Sequence, residues 1–69
     1  MNLRAGEVYR VNDDLGAFVS HLYVDAVVTV NPYEVKVHAH LAGQSTRFLT
    51  VVEVRELLGK RPVLLRSPG

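Results

Sequence analysis

A long alternation of hydrophobic and polar positions runs from Phe18 to Val30. The even positions are Phe18, Ser20, Leu22, Val24, Ala26, Val28 and Val30; the odd ones are Val19, His21, Tyr23, Asp25, Val27 and Thr29. A period of two predicts extended chain over 18–30, with the even face inward. Such a strand exceeds the usual length, so it is expected to bend or twist and serve two packed sheets. Asn31-Pro32-Tyr33-Glu34 follows, where proline presets φ for a turn and cannot donate to a ladder. Alternation resumes over 35–41, with Val35, Val37, Ala39 and Leu41 against Lys36, His38 and His40. A loop of 31–34 sets Val30 opposite Val35, Val28 opposite Val37, Ala26 opposite Ala39 and Val24 opposite Leu41. The other face then pairs Thr29 with Lys36, Val27 with His38 and Asp25 with His40. A slip of one residue would put valines opposite histidine and lysine, so the pattern specifies this register.

Ala42-Gly43-Gln44-Ser45 predicts a second tight turn, and 46–49 a short returning strand. Thr50 and Glu53 stand at capping-box spacing, each able to satisfy an orphan backbone N–H. They open a helix over Val51–Leu58 that ends at Gly59, with Lys60 and Arg61 beside its negative end. Two turns do not hold a helix by propensity alone, so packing through Val51, Val54, Leu57 and Leu58 is required. Pro62 stops the helical region and 63–65 predicts a final strand. A first strand is expected at 7–11, a loop at 12–16, and frayed ends at 1–3 and 67–69.

Sixty-nine residues allow one domain, spanning 1–69, and a chain of this size buries only about 60% of its unfolded surface. Without cysteine it has no disulfide or thiolate metal site, and so depends on a well-patterned core, an oligomer, or both. Valine dominates, with 13 copies against 9 leucines and no isoleucine, which suits pleated sheet better than helix. No apolar run approaches a membrane span and the N-terminus lacks a secretory pattern, so a cytoplasmic protein with no membrane partner is expected. The order of elements, a strand, an acidic loop, a long bent strand, a hairpin, a strand, a short helix and a closing strand, resembles the SH3-like small barrels. That resemblance covers roughly residues 4–66 and implies a mainly β, five-stranded barrel with the helix before the last strand. It carries over no functional residue, because it rests on element order and strand length alone. An OB-fold is the nearest alternative, though its barrels usually need more chain.

Candidate chemistry is sparse. His38 and His40 share a strand face with Asp25 opposite, a set able to ligate zinc or nickel. An ordinary solvated face with a cross-strand ion pair explains the same residues. His21 lies about 13 Å along the strand from Asp25, too far to join them. No metal and no cofactor are therefore expected. Ser20, Ser45 and Ser67 lack a nucleophile context, and the adjacent Asp13 and Asp14 suit turn chemistry. The glycines are isolated and cradle no phosphate. A non-enzymatic protein follows.

Charge is uneven along the chain, with a net of −3 over residues 1–34 and +4 over 35–69. Arg47, Arg55, Lys60, Arg61 and Arg66 form a candidate phosphate-binding patch, and with it an alternative role in binding nucleic acid. The outward face of the central hairpin points elsewhere. Tyr23, Val27, His38 and Leu49 are expected to line up there as an apolar contact face, with Arg47 near the rim. Contact with another protein, or with a second copy as a homo-oligomer, is the leading expectation.

Overall fold

The computed structural model describes residues 2–13 and 15–68; Met1, Asp14 and Gly69 lie outside them, and with them the pairing of Asp13 with Asp14. Its strands are β1 (Val8–Asn12), β2 (Phe18–Asn31), β3 (Glu34–Leu41), β4 (Arg47–Thr50) and β5 (Val63–Arg66), and α1 (Val51–Leu58) lies between β4 and β5. All pairings are antiparallel, in one sheet of order β4-β3-β2-β1-β5. The protein is mainly β with a short helix before the last strand. The sheet is open, however. β4 and β5 form its two edges, so the closed barrel expected from element order is not present in the described residues. No helix among those residues is long and apolar enough to cross a membrane.

The helix packs against β1, β3 and β4 on one face of the sheet, here called the inner face. Tyr9, Val11, Leu22, Val24, Val37, Ala39 and Leu49 meet Val54 and Leu58 there, and Leu3, Val51 and Leu57 pack around them. Leu3 is thus held by the core rather than frayed. Pro68 sits so near Gly6 that a β-carbon on the glycine would come within 3.2 Å of it. Burial holds the Tyr9 phenol above its ordinary pKa, and the neighbouring Glu7 carboxylate pushes in the same direction.

The capping box forms as its spacing predicts. Glu53 N–H donates to Thr50 Oγ1 at 3.1 Å, and Thr50 N–H donates to Glu53 Oε1 at 3.0 Å. These bonds hold the Glu53 carboxyl below its ordinary value, and Arg47 assists. Gly59 ends the helix at φ 75°, a conformation that favours glycine, and its N–H donates to Arg55 C=O at 2.9 Å.

The register of the central hairpin differs from the one the alternation predicts. Val24 faces Ala39 and Leu22 faces Leu41, but Ala26 faces His38, Val27 faces Val37, Val28 faces Lys36 and Thr29 faces Val35. Two bulges cause this, one between Val24 and Ala26 and one between Thr29 and Asn31. Each inserts one unpaired residue, Asp25 and then Val30, and each exchanges the faces of everything beyond it. Even positions point inward from Ser20 to Val24, and odd positions from Val27 to Thr29. A third shift, between Val11 and Asn12, sets Asn12 opposite Phe18 and sends Phe18 outward, 52% exposed.

Candidate interaction surface

The outer face of the sheet carries a row of rings. Tyr23 on β2 lies directly opposite His40 on β3, and His38 on β3 directly opposite Phe48 on β4. Side chains opposite one another on a sheet face are about 5 Å apart at Cβ, so flat rings there stack. Tyr23 and His40 do so with centroids 4.9 Å apart and planes 7° from parallel; His38 and Phe48 are 4.5 Å apart at 20°. His21 continues the row, edge-on to Tyr23 at 6.4 Å and to Phe18 at 5.0 Å. The Arg10 guanidinium lies 5.4 Å from the centre of the Phe18 ring, and its Nε donates to Asn12 Oδ1 at 2.7 Å. All three histidines of the chain belong to this row.

Asp25 owes its role to the bulge. As the unpaired residue it reaches sideways to His40, with Oδ2 2.7 Å from Nδ1, and Thr46 Oγ1 donates to the same oxygen at 3.4 Å. The expected contact between Asp25 and His40 is therefore made, although Tyr23 is the residue that pairs with His40 across the ladder. The hydroxyl in this group bonds the carboxylate and not the imidazole, so it is not arranged as an activated nucleophile. His38 faces Phe48 instead of this pair, and no group of three metal-ligating side chains converges among the described residues.

Beside Tyr23 the face dips into a shallow depression of about 250 Å³, lined by Val8, His21, Tyr23, Leu65 and Arg66. Val8 is 8% exposed and stands outside the inner core cluster, so β5 and the ring row are what cover it.

Of the five residues expected on the contact face, Tyr23 and His38 are there. Val27 is turned inward by the Asp25 bulge, opposite Val37, and lines a concavity under the hairpin with Leu3, Val35 and Val51. Leu49 is a core residue at 5% exposure, also opposite Val37. Arg47 pairs with Ala39 on the inner face and lies beside Leu49, Glu53 and Glu56 near the helix. The error at Leu49 is again a shift of one residue. A turn confined to 42–45 sets Leu49 opposite His38, whereas the observed ladder sets Phe48 there.

Of the five basic residues, Arg66 stands apart from the other four. Arg47 is on the inner face, Arg55 is exposed on α1, and Lys60 and Arg61 follow the helix end. Arg66 pairs with Val8 and borders the outer depression. Phe18, His21, His40 and Phe48 were not among the expected contact residues. For Phe48, the signal was the polar face of β3, which required a same-face neighbour on the next strand. Compared with known protein families, curated proteins and solved structures, the chain matches none.

Proposed function

We propose that this chain is a small non-enzymatic interaction module that binds another protein, its own copies included, through the outer face of its sheet. The observation that carries this is the ring row from Phe18 to Phe48, whose two ends are 52% and 58% exposed. Aromatic side chains bring large contact area at low entropic cost, and Arg10 and Arg66 add cations at the margin. The element order supports an SH3-like framework, opened here into a single sheet. Nucleic acid is a weaker fit. Most of the rings already face one another in pairs, and of the five basic residues Arg66 is the one beside them.

Two variants test this. Tyr23→Ser with Phe48→Ser removes the middle and one end of the row; Arg55→Ala with Lys60→Ala and Arg61→Ala removes the charge at the helix end. Proteins that co-purify with the wild-type chain should be lost from the first variant and kept by the second, with both folded by circular dichroism. Truncating central aromatic anchors should weaken binding by about 30-fold or more. Undiminished partner binding by the first variant refutes the proposal. Salt-sensitive polynucleotide binding that only the second variant loses favours the nucleic-acid role instead.

A further inference from the structure

The hairpin of β2 and β3 extends past β1, and the far half of β2 is left with an open edge. Val24 is the last residue tied on that side: its N–H donates to Glu7 C=O at 2.9 Å, and its C=O accepts from Gly6 N–H at 2.8 Å. The chain before Gly6 then turns away. Gly6 has φ 92°, Glu7 N–H donates to Arg4 C=O at 3.2 Å, and Arg4 N–H donates to the Glu7 carboxylate. Residues 2–4 instead border the concavity of about 390 Å³ on the inner side of the hairpin. No described residue pairs with this edge of β2 beyond Val24.

The bulge decides which groups the edge presents. Before it, His21 directs its carbonyl to Ala42, beyond the end of β3, while Val24 faces β1. Backbone direction alternates along a strand and steps once at an inserted residue. Beyond Asp25, therefore, Ala26 and Val28 face β3, and Val27 and Thr29 direct their N–H and C=O to the open side. The segment 26–31 reads Ala-Val-Val-Thr-Val-Asn, with no charge, proline or glycine. Natural edges usually carry such blocking residues. The other edges do: β5 contains Arg66 and lies between Pro62 and Pro68, and β4 begins with Arg47 and runs directly into α1.

We infer that this edge pairs antiparallel with the same edge of a second copy, about a two-fold axis at Val28. Val27 of each copy then lies opposite Thr29 of the other, and the four N–H and four C=O groups involved satisfy one another. The two Val28 side chains meet on the outer face at a non-hydrogen-bonded position, where opposed side chains approach most closely. Val28, 41% exposed, and Val30, 53% exposed, would be covered. The two sheets become one, and the ring rows lie side by side on a shared face. This rests on the self-association proposed above but moves the self-contact from the ring face to the edge, which leaves the rings to a different protein.

Sedimentation of the full chain at rising concentration, with amide exchange by NMR, tests it. A species of twice 7.7 kDa should form. Amide exchange at Val27 and Thr29 should slow by about tenfold or more as it does. Val28→Lys places like charges together at the axis, and Thr29→Pro removes an edge donor without removing a bond to β3. Both should be monomeric with an unchanged circular dichroism spectrum, while Phe48→Ser should still dimerise. A monomer at every concentration overturns the inference, as does a dimer that survives Val28→Lys. A dimer lost in Phe48→Ser and kept in Val28→Lys also overturns it, while leaving the ring face as the self-contact.

Discussion

Neighbouring residues Phe48 and Leu49 lie on opposite faces of β4, and truncating each in turn should give very different losses of stability. Leu49 is 5% exposed, opposite Val37, and packed in the cluster that includes Val54 and Leu58. Leu49→Ala removes three buried carbons, about 2.4 kcal/mol at roughly 0.8 kcal/mol for each, before any cavity term. With a cavity that relaxes only in part, the expected loss is about 3 kcal/mol. A domain of this size has a total stability of roughly 3 to 10 kcal/mol, so the variant should be close to unfolding. Phe48 is the larger residue, but it is 58% exposed and touches the His38 ring on the outer face. Phe48→Ala should lose at most about 1 kcal/mol, the worth of one exposed aromatic pair. Thermal and urea unfolding, followed by circular dichroism at low concentration, measure both. At about 4 to 8 °C per kcal/mol, the midpoint should fall by about 12 to 24 °C for Leu49→Ala and by under about 8 °C for Phe48→Ala. If Phe48→Ala proves the more damaging, the faces of β4 are assigned the wrong way round and the ring row does not exist.

The capping box and the buried phenol give two pH-linked expectations. Thr50→Ala should destabilise by about 1 kcal/mol. Glu53 has its folded-state pKa lowered, so its contribution is present above the ordinary carboxylate value and is lost as pH falls through the lowered one. Acid unfolding curves of wild type and Glu53→Gln should therefore converge at low pH; a constant gap between them would count against the box. Tyr9 has its folded-state pKa raised, so its contribution is fully present below 10.0 and is lost as pH rises through the higher folded value. Tyr9→Phe should flatten the fall in stability at alkaline pH, and an unchanged slope would remove the cause assigned here.

Much of the fold can be read from the residues because its signals are local. Pro32 marks the hairpin, Thr50 with Glu53 opens the helix, Gly59 closes it, and the alternating valines mark the two central strands. The bulges carry no such mark. Bulges that need a left-handed residue reveal themselves by glycine, but no non-glycine residue among those described has positive φ, so Asp25 and Val30 adopt conformations open to any side chain. Asp25 offered one hint, being a residue type depleted in strands and placed mid-strand. The alternation continued through it, however, and hid the exchange of faces. That exchange is why Tyr23 lies on the outer face and Val27 does not, whereas Leu49 is displaced by the turn after Leu41. Phe48 could not be assigned without the length of the turn after Leu41, which alternation does not encode.

The central claim is the shift of one residue at Asp25, and a cross-strand NOE experiment on the labelled chain reaches it directly. The structure predicts an Hα–Hα contact between Val27 and Val37, together with ring contacts of Tyr23 to His40 and His38 to Phe48. A contact of Val28 with Val37 and of Val27 with His38 would contradict it, and both the ring face and the open edge would have to be abandoned.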